Sequence, residues 1–137
     1  MSLSKDVATN FECVIPLRWG DMDAMAHLNN TIYFRLIEEA RMQWFNSMNM
    51  ATLLGGEGPI LAHVACDFLK PMTYPAIAKV TQNLVRLGHS SVDLDSVIER
   101  VDEPGIAYAK CKSVVVWMDY QSGKSAPWPK RIRTIFE

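Results

Sequence analysis

The spacing of apolar residues along the chain changes twice, and these changes limit the folds that the chain can adopt. From Phe11 to Trp19, apolar and more polar residues alternate, as in a half-buried strand. From Thr31 to about Met50, apolar residues recur every three or four positions without Pro or Gly, which predicts one long amphipathic helix. A breaker cluster at 53–59 predicts a loop, and alternation then returns. The predicted order is therefore one strand, one long helix and a run of strands.

Turn signals divide the part of the chain after the breaker cluster into four predicted strands, 60–72, 76–87, 90–101 and 106–119. Pro104 and Gly105 suit the two central positions of a type II turn between the last two strands. A polar loop follows at 121–129, and 129–136 predicts one or two helical turns. Short connections favour antiparallel neighbours, so the predicted class is α+β, with one long helix against a mostly antiparallel sheet. Pro16 predicts that the first strand lies at a sheet edge or carries an irregularity.

Length and charge narrow the class of protein. The chain has 137 residues, which fits a single domain spanning 1–137, and its net charge of −1 argues against a nucleic-acid binder. The first ten residues lack the apolar region of a secretory signal, and the apolar run 114–118 is too short to cross a membrane. We therefore expect a cytoplasmic protein that binds neither nucleic acid nor membrane.

The metal-binding and redox residue types are dispersed along the chain. We expect the three cysteines to be reduced core residues of a cytosolic protein; they are Cys13, Cys66 and Cys111. The three histidines show no metal-ligand spacing, so no metal is expected; they are His27, His63 and His89.

The stretch 18–30, between the first strand and the long helix, collects the groups that can perform chemistry. It contains Asp21, Asp23, His27, Asn29 and Asn30. A helix N-terminus presents backbone N–H groups that lack intrahelical acceptors, so a carboxylate delivered beside them suits reactions of a carbonyl group. Each residue also has a structural interpretation, because Asp is common in turns and Asn is a favoured helix cap.

The motif Gly-Asp-x-Asp-x-x-x-His-x-Asn-Asn-x-x-Tyr, followed by Glu-Glu-Ala-Arg, resembles hotdog-fold acyl-CoA thioesterases of the 4-hydroxybenzoyl-CoA thioesterase type. The matching residues are Gly20-Asp21-Met22-Asp23, His27-Leu28-Asn29-Asn30, Tyr33 and Glu38-Glu39-Ala40-Arg41. The resemblance implies a five-stranded antiparallel sheet wrapped around one long central helix. It also implies a homodimer or a dimer of dimers, an active site at the subunit interface, and no cofactor beyond the coenzyme A of the substrate.

The same resemblance assigns roles to residues of this chain. The catalytic group would be the Asp23 carboxylate, with His27, Asn29 and Asn30 beside it and the backbone N–H groups from Asn29 to Thr31 polarising the thioester carbonyl. Substrate-binding residues would be Thr31, Tyr33, Lys70, Arg86, His89, Ser90 and Ser91. Asp21 is expected to be structural. Many members of the family have Gly where this chain has Ala26; a left-handed backbone there would strain the alanine.

Three functions are compatible with these residues. The first is acyl-CoA hydrolysis, with Asp23 as nucleophile or general base. The second is a dehydratase or hydratase of the same fold acting on acyl-CoA or acyl-ACP, which usually pairs a His with a helix carboxylate in a different motif. The third is a non-catalytic acyl-CoA-binding protein.

Overall fold

A computed structural model of the chain describes residues 9–50 and 56–137. The strands are β1 (Asn10–Pro16), β2 (Glu57–Phe68), β3 (Ile77–Leu87), β4 (Ser91–Arg100), β5 (Ala107–Asp119) and β6 (Lys124–Ser125), and the helices are α1 (Asn30–Ser47) and α2 (Lys130–Phe136). All strand pairs are antiparallel, in the order β1-β3-β4-β5-β2, with β6 paired to β5. The prediction of one long helix and five antiparallel strands is confirmed. The two-residue β6 lies in the predicted polar loop and is too short to give a periodic signal.

The ends of α1 are set by local side-chain and backbone bonds. The Asn29 side chain caps the start by accepting a hydrogen bond from the N–H of Thr31. At the other end, Asn49 is left-handed, with a φ of 55°, and the N–H of Met50 donates to the carbonyl of Phe45. This is a Schellman stop, so α1 ends at Ser47, before the predicted end near Met50. In the described ranges, no helix is both long enough and apolar enough to cross a membrane.

One face of α1 packs against the sheet and forms the core. The buried residues of this face are Tyr33, Leu36, Ile37, Ala40, Arg41, Trp44 and Phe45. The N-terminal half of α1 contributes to one hydrophobic cluster, and the C-terminal half contributes to a second cluster that α2 covers with Ile132 and Phe136. Burial of this apolar face, rather than helix propensity alone, stabilises α1 in the fold.

The edges of the sheet account for the prolines within strands. Pro16 lies in edge strand β1, as predicted, and Pro59 lies in β2 at the opposite edge. The prediction of a loop through Pro59 is wrong, because an edge strand tolerates a residue without an N–H. Two predicted segments lie outside the described residues: 1–8, at the N-terminus, and 53–55, in the breaker cluster.

The expectation of three reduced cysteines is wrong for two of them. Cys66 on β2 and Cys111 on β5 are opposite each other in the strand register, with Cα atoms 4.1 Å apart, and the structure joins them in a disulfide. Cys13 is free and half-buried. The two bonded residues are 45 positions apart in the chain, so only the pairing of β2 with β5 brings them together.

Candidate active site

The loop that precedes α1 is a short, closed hairpin. Met22 and Leu28 form an antiparallel bridge, and within it the N–H of Asp23 donates to the carbonyl of His27 at 2.8 Å. The N–H of Ala26 donates to the carbonyl of Asp23 at 3.0 Å, and Ala26 is left-handed, with a φ of 61°. Glycine is usual at the left-handed position of such three-residue loops. The positive φ of Ala26 therefore strains the backbone, as expected for an alanine at this position.

The Asp23 side chain stabilises this loop with one of its two oxygens. Oδ1 accepts hydrogen bonds from the N–H of Met25 at 2.8 Å and from the N–H of His27 at 3.2 Å. Oδ2 accepts none from the described part of the chain, and the residue is exposed. The carboxylate is therefore held in one orientation through Oδ1 while Oδ2 is available to a ligand or water.

Asp21 is a structural residue, as predicted. It is 7% exposed, and its carboxylate accepts a hydrogen bond from the N–H of Arg18 at 2.8 Å and lies 3.5 Å from the Arg18 guanidinium. Its carbonyl accepts from the N–H of Asn29 at 3.0 Å. These bonds fix the loop to the start of α1.

The start of α1 leaves one of the three predicted amides open. The N–H of Asn29 donates to Asp21, and the N–H of Thr31 donates to Oδ1 of Asn29 at 3.0 Å. Within the described ranges, the N–H of Asn30 has no acceptor. The Thr31 hydroxyl also donates to Oδ1 of Asn29, at 2.9 Å. The loop thus brings together Asp23, His27, Asn29, Asn30 and Thr31, all exposed, at one helix end.

Tyr33 lies in the core, where the single chain leaves it little surface for a substrate. It is 2% exposed, its hydroxyl donates to the carbonyl of Lys70 at 3.3 Å, and its ring packs edge-on against Phe68. Burial is the main reason that the pKa of the Tyr33 phenol is raised. The motif alone suggests a role in substrate binding, but the helical spacing that places Tyr33 on the apolar face of α1 predicts this burial.

The remaining predicted binding residues divide between two ends of the sheet. Lys70 lies at the loop end, where its ammonium is 3.6 Å from the Glu103 carboxylate and 5.1 Å from the centre of the Tyr108 ring. Four others surround the turn between β3 and β4: Arg86, His89, Ser90 and Ser91.

This turn is far from Asp23 within one chain. Residue 77 at the start of β3 pairs with Pro16 near the loop, and Leu87 ends β3 beside the turn. Ten steps along a strand span about 33 Å. The turn also accepts hydrogen bonds from the C-terminal segment: Trp128 Nε1 donates to the Ser91 carbonyl at 3.2 Å, and Arg133 to the Gly88 carbonyl at 3.1 Å.

Two cavities lie along α1 where it faces β2. The first, of about 290 Å³, extends from Thr31 to Arg41, and the second, of about 480 Å³, extends from Glu39 to Met50. Both are lined by Arg41 and by Leu61 of β2. The sequence predicts that bulky residues such as Phe45 and Met50 form core and pocket wall; both are buried, and both line the larger cavity. The burial of Arg41 is not visible in the sequence, where a charged residue beside Glu38 suggests a solvated face.

No metal site emerges from these side chains. Among residues 9–50 and 56–137, no three His, Cys, Asp or Glu residues are close enough to bind a metal ion together.

Comparison with known proteins places this chain in a family. The model of the thioesterase-like superfamily matches residues 17–136. A Pseudomonas aeruginosa protein, PA2801, assigned as a thioesterase, is 35% identical, with a TM-score of 0.88 over 93% of this chain and 98% of its own. A Xanthomonas campestris protein assigned as an acyl-CoA thioesterase is 30% identical, with a TM-score of 0.77 over 85% of this chain and 96% of its own. A Synechocystis 1,4-dihydroxy-2-naphthoyl-CoA thioesterase, 18% identical, shares the fold, with a TM-score of 0.84 over 93% of this chain and 95% of its own.

Proposed function

Because the chain belongs to the thioesterase-like superfamily and has the hotdog fold, we propose that it hydrolyses acyl-CoA thioesters at the loop before α1. Thioester hydrolysis is the general activity that the family supports. The observation that carries the finer proposal is a pairing at one helix end. An exposed carboxylate with an open Oδ2, on Asp23, lies in the short loop that leads into α1, and Asn30, the first residue of α1, has the open N–H.

The two open groups suit the two demands of thioester hydrolysis. The N–H of Asn30, at the positive end of the α1 dipole, would donate to the carbonyl oxygen and stabilise the negative charge that develops there. Oδ2 of Asp23 would either take a proton from the attacking water or attack the carbonyl carbon itself. In the first route, water adds to the carbon and CoA leaves as the thiolate. In the second, the thiolate leaves and water then opens the resulting mixed anhydride.

Neighbouring side chains of the loop would orient these groups. Asn29 caps α1 and so fixes the direction of the Asn30 N–H. The backbone N–H of His27 donates to Oδ1 of Asp23, and the side chain of His27 is exposed. The ring is therefore placed to contact substrate or water. Asp21 acts only through the loop backbone.

The proposed active unit is a homodimer, and its support is the free edge of the sheet. Strand β2 pairs with β5 on one side, and none of the described strands pairs with its other side. This edge strand leaves Ile60, Leu61 and Phe68 at least 36% exposed. A long apolar edge strand in contact with water is an aggregation hazard unless another chain covers it. A partner subunit would also supply a second surface for the CoA arm, which explains how the distant Arg86 and Ser90 could act in substrate binding.

The test is a thiol-release assay with purified protein over short, medium, long and aromatic acyl-CoAs, with chromatography of the products. We expect free CoA and the free acid in equal amounts. Binding of acyl-CoA without release of thiol would contradict the proposal and indicate a binding protein, and a double-bond product from 3-hydroxyacyl-CoA would indicate a dehydratase. The mass in solution should be that of a dimer or a larger even assembly; a fully active monomer would contradict the interface.

A further inference from the structure

Arg41 is a buried charge on the wall of both cavities. The residue is 6% exposed, although it lies among exposed neighbours such as Glu38, Glu39 and Met42. The residue lines both the smaller cavity, which begins at Thr31, and the larger one. A group inside either cavity would therefore meet this cation.

The described residues provide no direct partner for this guanidinium. No acceptor within the described ranges forms a hydrogen bond with Arg41, and no carboxylate lies within 4.0 Å of it. Burial lowers the pKa of Arg41, and the more distant Glu38 charge raises it in part. A largely buried cation without a paired anion is costly, so this arginine is suited to bind an anionic partner.

The position of Arg41 relative to the proposed reaction centre suggests what that partner is. Thr31, beside the Asn30 amide, lines the cavity that ends at Arg41. Ten residues of helix separate them, which is about 15 Å of axial rise. Side chains on a helix lean toward its N-terminus, which shortens the gap. An acyl chain with its thioester at the start of α1 could thus extend along the cavity to the guanidinium.

The smaller cavity, along which this acyl chain would run, has a mixed lining: Phe34, Ile37, Leu61 and Val64 are apolar, and Arg35 and Glu38 are charged. Beyond Arg41, the larger cavity is lined mainly by apolar side chains: Met42, Phe45, Met50, Pro59, Leu61 and Val115. The linings also contain three exposed charged residues, Arg35, Glu38 and Glu39, whereas Arg41 is buried. A planar guanidinium binds a carboxylate with two parallel hydrogen bonds, which an ammonium cannot do.

We propose that Arg41 selects acyl-CoA substrates whose acyl group ends in a carboxylate, as in the half-thioesters of dicarboxylic acids. This inference rests on the proposed thioesterase function and adds the substrate class. It makes Arg41 a specificity-determining residue that binds the far end of the acyl group and takes no part in bond breaking.

The test compares two series of matched length. Succinyl-, glutaryl-, adipoyl- and suberoyl-CoA end in a carboxylate, and butyryl-, pentanoyl-, hexanoyl- and octanoyl-CoA end in a methyl group. At one length or more, we expect the wild-type kcat/KM for the carboxylate to exceed that for its methyl partner at least tenfold. Arg41→Met should remove this preference, mainly through KM, and raise kcat/KM for the methyl series. Arg41→Lys should keep only part of the preference, because an ammonium lacks the planar fork.

Arg35→Met is the matched control, since Arg35 is an exposed arginine on the same helix and lines the smaller cavity. It should reduce the preference much less than Arg41→Met. The inference is overturned if the wild type shows no preference for any carboxylate. It is also overturned if Arg41→Met lowers both series equally or dissociates the oligomer, because Arg41 would then pair with another subunit.

Binding of the free acids separates this inference from the proposed hydrolysis. Thermal shift and calorimetry with adipate and hexanoate, in wild type and Arg41→Met, need no turnover. If no acyl-CoA is hydrolysed but adipate binds in an Arg41-dependent way, the hydrolase proposal fails and the carboxylate site stands. If acyl-CoAs are hydrolysed and adipate binds no better than hexanoate, the site fails and the hydrolase stands.

Discussion

The backbone N–H of His27 donates to Oδ1 of Asp23 at 3.2 Å, and the N–H of Asp23 donates to the His27 carbonyl at 2.8 Å. The side chain proposed to act on the substrate therefore also holds its own loop closed. A substitution at Asp23 can change activity through the lost carboxylate or through a changed loop. The two oxygens allow these effects to be separated, because only Oδ1 carries the loop bonds.

Replacement of Asp23 by Ala should lower the free energy of unfolding by about 1 kcal/mol, since Met25 and His27 each lose an acceptor at an exposed site. Asp23→Asn keeps an oxygen in the Oδ1 position and should change stability by only a few tenths of a kcal/mol. Urea denaturation followed by circular dichroism measures both. Equal stability of the two variants would show that the loop does not depend on these bonds.

Glycine in place of Ala26 should stabilise the protein. The left-handed conformation costs a residue with a Cβ roughly 1–2 kcal/mol, and the extra freedom of glycine in the unfolded chain offsets about 0.4–1 kcal/mol of the gain. We expect a net increase of up to about 1.5 kcal/mol in the free energy of unfolding, seen as a higher Tm. Ala24→Gly in the same loop is the control: Ala24 does not have a positive φ, so it should gain nothing. A lower Tm for Ala26→Gly would contradict the strain.

Local signals in the sequence predict much of the structure of the loop before α1 and of α1 itself. The resemblance to a family that often has Gly at position 26 raises the question of a left-handed residue, and Asn29 is a favoured cap by its chemistry alone. The periodicity of α1 is local in the same way, because each turn of the helix repeats the pattern within four residues. These features could be predicted since they depend on residues that are near each other in the chain.

Other features depend on which distant segments of the chain come into contact. The sequence patterns do not predict these contacts. The resemblance groups Lys70 and Arg86 as substrate-binding residues, yet they lie at opposite ends of the sheet. Cys66 meets Cys111 only because β2 pairs with β5 in one register. Arg41 is buried on the side of α1 where residues of β2 line the same cavities. None of these contacts has a periodic or compositional signal.

Asn29→Asp should separate helix capping from catalysis. Aspartate is as good a cap as asparagine, so the free energy of unfolding should stay within a few tenths of a kcal/mol. Its negative charge would lie beside the open Asn30 N–H, where repulsion of the developing oxyanion costs a few kcal/mol at an effective dielectric constant near 20. We expect kcat to fall at least about tenfold. Asn29→Ser keeps the cap without charge and should retain much more activity; equal kcat values for the two variants would contradict an oxyanion site at Asn30.

Stability should fall at high pH, and Tyr33 should contribute to the fall. Burial raises the pKa of this phenol above its ordinary value of 10.0, so the unfolded chain loses the proton first. The contribution is complete below pH 10 and is lost as the pH rises toward the raised pKa of the folded state. Tyr33→Phe should therefore show a smaller loss of unfolding free energy between about pH 9 and about pH 11. Part of the loss should remain, because the pKa of Tyr108 is also raised, mainly by burial; an unchanged pH slope in Tyr33→Phe would contradict the assignment.

The most direct test of the central claim is the kcat of Asp23→Asn for an acyl-CoA that the wild type hydrolyses, measured beside its free energy of unfolding. Asp21→Asn is the matched control, because among the described residues the Asp21 carboxylate bonds only to Arg18. The account predicts that Asp23→Asn lowers kcat by about 10²- to 10⁴-fold at nearly wild-type stability, and that Asp21→Asn loses stability but keeps most of its kcat while folded. A stable Asp23→Asn protein with a kcat within a few-fold of wild type would contradict the account.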